Sequence, residues 1–446
     1  MGITTDLARD LYGIQALAGR DVEQLHTLII DLFAATYAGY RQNKAFNEAV
    51  EAVVLPQCGA EESTVFLQKR RYPARLAAFM NSIYGHGAEL DDGHKKAAGH
   101  VGVYLIPAVF ALAEKLGSCN DDVLIALATG YEAYIRISSA AQPGLVERGF
   151  HSTGMAGTLA AAAGCARLYR LDAAGIENAI ALATTMAGGL LSYGDSRPAM
   201  KPLNPGKAAE NGVFAAMLAA AGVLGPTESL EGQNGWFHAV TDHVDLSCLS
   251  GSDHLLLHDC YFKRYPSCRH THGGIDAGVL LHDRVRPEQI EKVRVYVYPN
   301  AVKLAGIRVP KDQDETKFSI QYTLACALLN GSYGVADMDP PRLTKEVTEL
   351  IGKTELIPDD SMEDRAKGIR GTRVAVDLSD GRTEEEVVLV PKGDPENPLS
   401  REDILEKLRV CAAGYGDGAY DGRLAESVLQ IEGRGAFVHP MRYYCI

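Results

Sequence analysis

TGMAGTLAAAAGCARLYRL, residues 153–171, is the stretch that decides the fold class. It is rich in alanine and glycine and carries no charged residue before Arg167. A helix with small side chains on every face is typical of a helix buried among others, because small side chains permit short interaxial distances. AIALATTMAGGLLSYG, residues 179–194, has the same composition. The two segments predict the core of a large all-helical domain.

The helical pattern extends through the first 260 residues. Apolar residues recur at three- and four-residue spacing in segments 22–40, 104–117 and 121–141. We expect no strands between about residues 5 and 260. Because 446 residues exceed what one hydrophobic core usually serves, the length favours a second domain.

The pattern changes near residue 260. KVRVYVYPN, residues 292–300, alternates with period two, and TRVAVDLSDGRTEEEVVLVPKG, residues 372–393, predicts a strand, an Asp-Gly turn and a second strand. Helix-like stretches lie at 316–330 and 342–352. We therefore predict a mostly α protein with a helical domain at 1–261, a smaller α+β domain at 262–395, and helices at 396–446 that return to the helical domain.

Composition restricts the function classes. The net charge of -13 argues against a nucleic acid or an anionic membrane as partner, because both require a basic surface. Uncharged stretches are shorter than the roughly 20 residues of a bilayer-spanning helix, so we expect no membrane segment. The N-terminus MGITTDLARD has no apolar signal region, and nine cysteines are scattered without a C-x-x-C pair. These features predict reduced thiols and a cytoplasmic location.

GAELDDGHKKAAGH, residues 87–100, concentrates titratable groups. One interpretation is an acid/base site in which Asp91 and Asp92 hold the imidazole of His100 in a useful tautomer. The alternative is a helix cap formed by the two acids, with Lys95 and Lys96 on a solvated face. We expect both lysines to lie on the surface under either interpretation.

A metal site is a further alternative for the same stretch, because carboxylates and imidazoles are common metal ligands. Spacing allows two ligand sets, which are Asp91, Asp92, His94 and His100, and a histidine set of His254, His258, His270 and His272. No H-E-x-x-H pattern occurs, and we assign no metal ligand.

Basic residues also lie on stretches with loop character, where functional groups concentrate. GFHSTGMAGT places His151 before a helix start, where backbone N–H groups can hold an anion. SRPAMKPLNPGKAAENG carries Arg197, Lys201 and Lys207, of which we expect Lys207 to be exposed. YFKRYPSCRHTHGGID carries Lys263, Arg264 and Arg269.

Five blocks of the chain, in order, resemble the MmgE/PrpD family, which includes 2-methylcitrate dehydratases, cis-aconitate decarboxylases and iminodisuccinate epimerases. The blocks are GHGAELDDGH, FHSTGMAGTLAAAA, MKPLNPGKAAENG, FKRYPSCRHTH and KFSIQYTLACALLNG. The resemblance implies a large helical domain built from both chain ends, a smaller α+β lid, a homodimer, and an active site between the domains that needs no cofactor.

The resemblance also implies a set of site residues, namely Asp91, Asp92, His100, His151, Lys201, Lys263 and Tyr322. Some positions depart from the family pattern. Gly93 replaces the usual Thr or Ser, Val101 replaces Pro, and Arg264 follows the junction lysine where a small residue or Pro is usual. Glu89 stands where the decarboxylases that this chain resembles carry Asp.

The chemistry common to the substrates of this family occurs at a carbon next to a carboxylate, and removal of its proton needs a base and stabilisation of the developing charge. We expect His100 or His151 to be the base, Asp91 or Asp92 to orient or protonate, and Tyr322 to donate a hydrogen bond. The residues expected to bind substrate carboxylates or line the substrate site are Lys201, Lys263, Arg264, Arg269 and His94.

The predicted function is a cofactor-independent lyase acting on a small di- or tricarboxylic acid, with a hydro-lyase favoured. An epimerase or a decarboxylase of a similar acid is the alternative. Two hypotheses from other functional classes remain, a metal-dependent hydrolase and a non-catalytic binding protein.

Overall fold

The computed structural model describes residues 2–57, 59–196, 198–338, 341–364, 368–415 and 420–443. The chain divides into two compact units. Unit 1 comprises Met1–Gly87, Asp91–Cys260 and Arg401–Ile446, and unit 2 comprises Ala88–Leu90 and Tyr261–Ser400. Helices predominate and the strands form small sheets, so the predicted mostly α fold class is confirmed.

The first 260 residues are mainly helical. The helices are α1 (Ile3–Tyr12), α2 (Gly19–Gln42), α3 (Lys44–Val54), α4 (Ala74–His86), α5 (Gly102–Leu116), α6 (Asn120–Ala140), α7 (Gly144–Glu147), α8 (Ser152–Leu168), α9 (Ala173–Thr184), α10 (Tyr193–Ser196), α11 (Leu203–Ala220) and α12 (Trp236–Val240). The three segments with helical apolar spacing therefore form α2, α5 and α6 with boundaries displaced by a few residues.

Short strands interrupt this helical region. They are β1 (Ser63–Thr64), which pairs antiparallel with β2 (Arg71–Tyr72), then β3 (Gly93–His94) and β4 (Cys260–Tyr261). The expectation of no strands here was therefore wrong. Two residues are too few for an alternating pattern, so the sequence gives no signal for them.

Helix α8 lies at the centre of unit 1. Its residues from Ser152 to Ala166 are all buried, and it packs against α5, α6, α9 and α11. A Cβ atom on Gly157 would lie 2.8 Å from Cε1 of Tyr104, and one on Gly164 would lie 2.8 Å from the carbonyl oxygen of Ala126. The prediction that this alanine- and glycine-rich helix is buried among close neighbours is confirmed.

Unit 2 contains a four-stranded sheet with helices packed on it. Its strands are β5 (Ile290–Val297), β6 (Thr354–Pro358), β9 (Thr372–Leu378) and β10 (Thr383–Val388), and a separate antiparallel pair is formed by β7 (Glu363–Asp364) and β8 (Ile369–Arg370). The helices are α13 (His272–His282), α14 (Pro299–Ala305), α15 (Gln313–Thr316), α16 (Ile320–Asn330) and α17 (Lys345–Lys353). The sheet order is β10-β9-β5-β6, in which β5 and β6 are parallel and the other neighbours antiparallel.

The hairpin of β9 and β10 follows the predicted strand–turn–strand pattern. Asp377 lies opposite Thr383, and the turn between the strands contains Gly381 with a φ angle of 85°. Glycine adopts this left-handed backbone conformation without a steric penalty. On β5, Val293, Val295 and Val297 alternate toward the core of unit 2, as the period-two pattern predicted.

The last helices, α18 (Arg401–Ala412) and α19 (Tyr420–Leu429), belong to unit 1. The Lys407 ammonium on α18 forms a buried ion pair with Asp31 of α2. The Asn120 amide donates to the carbonyl oxygens of Gln430 and Glu432 over 3.2 and 3.1 Å. Across the described residues, no helix combines the length and the apolar character that crossing a membrane requires.

Candidate active site

The connection between α4 and α5 carries most of the titratable groups of the charged stretch. His86 is the last residue of α4, and Gly102 is the first residue of α5. The Asp92 carboxylate accepts the Gly102 N–H at Oδ1 and the Tyr131 hydroxyl at Oδ2, both over 2.9 Å. This carboxylate therefore fixes the connection to the start of α5 and to α6.

The Asp91 carboxylate lies between two imidazoles. Its Oδ2 is 2.9 Å from Nδ1 of His86 and 3.1 Å from Nδ1 of His100, and its Oδ1 is 3.0 Å from Nδ1 of His86. Burial raises the pKa of Asp91, but His86 and His100 lower it more, and the result is a pKa well below the usual range. Asp91 is therefore an ionised acceptor for both rings.

The tautomer of neutral His100 follows from its contacts. Nδ1 of His100 is 2.8 Å from the carbonyl oxygen of Asp92 as well as 3.1 Å from the Asp91 carboxylate. Both partners only accept hydrogen bonds, so we assign the proton to Nδ1. The other ring nitrogen, Nε2, then has a lone pair and can act as a base.

His151 has the opposite arrangement. It directly precedes α8, and its backbone N–H donates to the carbonyl oxygen of Gly189 over 3.0 Å. The Asn204 amide nitrogen lies 3.0 Å from Nδ1 of His151 and 3.3 Å from the carbonyl oxygen of Leu190. The Leu190 carbonyl identifies this atom as the NH2 group, so Nδ1 of His151 accepts and we assign the proton to Nε2.

The three histidines and a lysine lie close together in unit 1. The ring centroid of His86 is 4.7 Å from that of His100 and 6.5 Å from that of His151. The Tyr193 ring is 5.4 Å from His151, and Nζ of Lys201 is 5.8 Å from the Tyr193 ring. The helical unit thus brings three imidazoles and an ammonium into one neighbourhood.

Sequence reasoning missed His86. The residue stands five positions before Asp91 in the block GHGAELDD, but it was not selected as a site residue. A histidine at the end of an apolar helix is ordinarily interpreted as a core residue. The backbone path through residues 87–90 brings the Asp91 carboxylate into contact with the His86 ring, and this contact makes His86 part of the cluster.

Asp92 differs from Asp91 in its surroundings. Burial raises its pKa to about 7, and the negative charges of Asp31 and Asp91 act in the same direction. Its carboxylate binds backbone and tyrosine donors, while its backbone carbonyl contacts His100. The Asp91 carboxylate thus contacts two imidazoles, whereas the Asp92 carboxylate accepts the N–H of the first residue of α5, and the acid/base interpretation stays a prediction.

Other groups of the protein contact His94, Lys96 and Lys207. The buried His94 ring accepts the Ala97 N–H at Nδ1 over 3.1 Å, and burial lowers its pKa to about 4, so the ring is neutral at pH 7. Lys96 is exposed, with its Nζ 3.8 Å from the Asp245 carboxylate. Lys207 pairs with Glu210 over 2.6 Å at the surface. Arg197 lies outside the described residues.

Unit 2 holds the remaining predicted cations. Nζ of Lys263 donates to the carbonyl oxygen and to Oε2 of Glu89, over 2.9 and 3.0 Å. Arg269 forms a 2.6 Å ion pair with Asp394. Arg264 is exposed, with its guanidinium 5.7 Å from the Tyr265 ring, at a groove of about 350 Å³ on this unit. These three residues thus have three different environments.

Tyr322 lies in the core of unit 2. Its hydroxyl donates to the carbonyl oxygen of Asp337 and accepts the Arg342 N–H over 2.8 Å. Its predicted role as a donor to substrate stays a prediction.

The four histidines considered as a second ligand set contact other side chains. Nε2 of His254 lies 3.0 Å from Asp259 and Nε2 of His258 lies 2.8 Å from Asp21. His270 contacts the Tyr298 hydroxyl, and Nδ1 of His272 lies 2.7 Å from Arg269.

Comparison with known families identifies the chain. Residues 12–249 match the model of the MmgE/PrpD N-terminal domain, and residues 265–432 match that of the MmgE/PrpD C-terminal domain. The chain belongs to the MmgE/PrpD family. The resemblance proposed from the five sequence blocks is thereby confirmed.

Several similar proteins carry the name cis-aconitate decarboxylase. A cis-aconitate decarboxylase-like protein of Aspergillus oryzae is 30% identical over 81% of this chain and 80% of its own length. The human cis-aconitate decarboxylase is 27% identical over 92% of this chain and 88% of its own length. That of Aspergillus terreus is 26% identical over 92% and 89%. Known proteins that resemble this MmgE/PrpD chain over most of its length are thus named for a reaction on a tricarboxylic acid.

Proposed function

We propose that this MmgE/PrpD protein is a lyase that breaks a bond next to a carboxylate of a small polycarboxylic acid. The observation that carries the proposal is the pair of Nδ1 contacts, an acceptor carbonyl at His100 and a donor amide at His151, from which we assign opposite tautomers. Neutral His100 offers a lone pair at its Nε2, and neutral His151 carries a proton at its own Nε2. An elimination of water needs both a base and an acid and can use the whole pair, whereas a decarboxylation needs only the proton donor.

His100 is the base when the reaction is a dehydration. When Nε2 takes a proton from the substrate carbon, the ring becomes an imidazolium whose Nδ1–H still faces Asp91 and the Asp92 carbonyl. The buried Asp91 anion stabilises that positive charge, as a carboxylate does beside a catalytic imidazole. Lys201, whose Nζ lies 5.8 Å from the Tyr193 ring that neighbours His151, would bind a substrate carboxylate on the same unit.

His151 is the acid. Its Nε2–H would protonate the departing hydroxyl in a dehydration, so that water leaves. In a decarboxylation the electron pair of the broken C–CO2 bond would remain on the organic acid, and the Nε2–H of His151 would protonate the carbon. Asn204 keeps the proton on Nε2 by donating to Nδ1. After a dehydration, His100 passes its extra proton to solvent and His151 regains a proton from solvent. After a decarboxylation, only His151 has lost a proton, and solvent supplies its replacement.

The names of the similar proteins indicate which reaction to test first. Because the proteins similar to this chain are named cis-aconitate decarboxylases, we propose decarboxylation of an unsaturated polycarboxylic acid as the first candidate. Dehydration of a hydroxy polycarboxylic acid is the second candidate, since an elimination uses both the base and the acid.

The experiment is a turnover screen of di- and tricarboxylic acids in the presence of excess chelator. Proton NMR would detect loss of substrate, and a carbonate assay would separate decarboxylation from dehydration. We expect product formation that survives chelation and is lost in His151→Gln. Turnover that disappears on chelation would favour the metal-dependent hydrolase, and no turnover on any acid in the screen would favour the non-catalytic binding protein.

A further inference from the structure

His86 contacts both oxygen atoms of the Asp91 carboxylate through one ring nitrogen. Its Nδ1 lies 3.0 Å from Oδ1 and 2.9 Å from Oδ2, and both side chains are fully buried. An ionised carboxylate only accepts hydrogen bonds, so we assign a proton to Nδ1 of His86. His86 therefore donates to the carboxylate that also faces His100.

The backbone holds the two side chains of this contact differently. His86 ends helix α4, in which residues 77–86 are all buried. Asp91 lies on the connection that follows, outside the helices and strands. Side chains on packed helices are held more precisely than side chains on irregular backbone. His86 is therefore the fixed partner, and the Asp91 carboxylate is the group that needs to be held.

The torsion angle that turns the Asp91 carboxylate has no sharp preference of its own. The terminal angle of an aspartate side chain is broad, so its contacts decide where each oxygen points. His100 contacts Oδ2 over 3.1 Å, and its Nδ1 lies closer to the Asp92 carbonyl oxygen, at 2.8 Å. His86 contacts both oxygens, each over a shorter distance than His100 does. The orientation of the carboxylate therefore depends more on His86 than on His100.

The protonation state of His86 decides whether the charge of Asp91 is available to His100. A neutral ring that donates through Nδ1–H leaves the negative charge in place, and this charge can stabilise an imidazolium at His100. An imidazolium at His86 would itself compensate the carboxylate and leave little of the charge for His100. Only the neutral donor both holds Asp91 and preserves its charge.

We propose that His86 is a positioning residue, a neutral Nδ1–H donor that keeps the Asp91 carboxylate directed at His100. The inference rests on the dehydration form of the proposed function, in which His100 becomes an imidazolium. His86 acts on the reaction through Asp91 and needs no contact with the substrate. Because the imidazolium forms only as the proton is removed, His86 should contribute to kcat rather than to KM.

The test compares two substitutions of His86 during dehydration of a hydroxy polycarboxylic acid. The amide nitrogen of Asn is bonded to Cγ, as Nδ1 of His is, whereas that of Gln is one bond farther along the side chain. We expect His86→Gln to lower kcat about 5- to 10-fold at nearly constant KM, the size of one ordinary hydrogen bond. His86→Asn restores a donor at Cγ and should keep kcat at least about twofold above that of His86→Gln.

His26→Gln is the matched control. His26 is a buried histidine of α2 outside the cluster, with its Nε2 3.0 Å from the carbonyl oxygen of Ile431, and its replacement should change kcat less than about twofold. The His86 ring also packs on that of His100, with 4.7 Å between centroids, so a packing role predicts equal losses in the two His86 variants. Equal losses, or a folded His86→Gln protein with the kcat of the wild type, would overturn the proposal.

A measurement on the wild type decides the matter if the His86 variants do not fold. Nitrogen NMR of protein carrying isotope-labelled histidine distinguishes the two neutral tautomers from each other and from the imidazolium. The His86 signals would be identified by proton contacts with the His100 ring, which His100→Gln removes. We expect a proton on Nδ1 of His86 and none on Nε2. A proton on Nε2 alone, or protons on both nitrogens, would overturn the proposal.

The two readouts separate this inference from the proposed function. A wild type that decarboxylates a polycarboxylic acid but dehydrates no hydroxy acid rejects the inference and leaves the proposed function standing. A wild type that dehydrates, with an imidazolium at His86, likewise rejects the inference alone. No turnover on any acid in the screen rejects both.

Discussion

Replacing Asp91 with Asn tests the electrostatic part of the site. The substitution keeps the size of the side chain and removes the negative charge shared by His86 and His100. It does not remove every acceptor from His100, because the Asp92 carbonyl oxygen remains 2.8 Å from Nδ1. The proton should therefore stay on Nδ1, and the variant loses the stabilisation of the imidazolium rather than the tautomer.

The expected loss follows from that geometry. One hydrogen bond to a charged group contributes about 1.5–3 kcal/mol, so kcat/KM should fall about 10- to 150-fold. His100→Gln removes the base itself and should reduce kcat/KM well beyond that range. Steady-state kinetics on a working polycarboxylic acid, with circular dichroism to verify folding, would measure both variants.

The control for Asp91→Asn is Glu114→Gln, another buried carboxylate changed to an amide outside the cluster. Its kcat/KM should change less than about twofold, within the small effects typical of sites away from the chemistry. Two outcomes would refute the reasoning. One is a folded Asp91→Asn protein with full turnover, and the other is a loss as complete as that of His100→Gln.

Three further predictions concern single groups. The folded pKa of Asp92, about 7, exceeds the unfolded value, so its contribution to the free energy of unfolding is present below about pH 4 and is lost as the pH rises through 7. Asp92→Asn lacks this loss and should gain up to roughly 4 kcal/mol relative to wild type between pH 4 and 8 in urea unfolding. A stability difference that does not change with pH would contradict this. Asn204→Leu removes the donor to Nδ1 of His151 and should lower kcat about tenfold or more at nearly constant KM, whereas a change in KM alone would indicate a packing role. Lys201→Met should lower kcat/KM about 10- to 150-fold while Lys95→Met stays near wild type, and equal effects would remove Lys201 from the site.

The helical part of the fold was predictable because its signal is local. Helix α8 has small residues on every face, and close packing against Tyr104 and Ala126 follows from Gly157 and Gly164. The β9–β10 hairpin was predictable for the same reason, since an Asp-Gly pair between alternating strands specifies a turn. The two-residue strands β1 and β2 were not predictable, because pairing of such short segments depends on tertiary position.

The site was predictable in its residue types but not in its connections. Asp91, His100 and His151 were selected from motifs, and the structure places the first two in contact. The contact of His86 with Asp91 depends on the backbone path through residues 87–90, which no spacing rule specifies. The Glu89–Lys263 pair joins residues 174 positions apart, and such a partner cannot be found from sequence pattern alone.

The two tautomers also required the structure. A histidine in a motif does not say which ring nitrogen carries the proton, because that is set by the partner of the other nitrogen. The Asp92 carbonyl determines it for His100, and the Asn204 amide determines it for His151. The division of labour between base and acid is therefore a consequence of tertiary contacts.

Hydrogen exchange in D2O tests the central claim, that His100 is the base and His151 the acid, most directly. The substrate for this test is a hydroxy polycarboxylic acid, because only the dehydration begins with proton removal by His100. Proton NMR would follow deuterium incorporation next to its carboxylate, and net dehydration in the same tube, for wild type, His100→Gln and His151→Gln. The account predicts exchange and product in the wild type, neither in His100→Gln, and exchange without net product in His151→Gln. Exchange that persists in His100→Gln and vanishes in His151→Gln would contradict it.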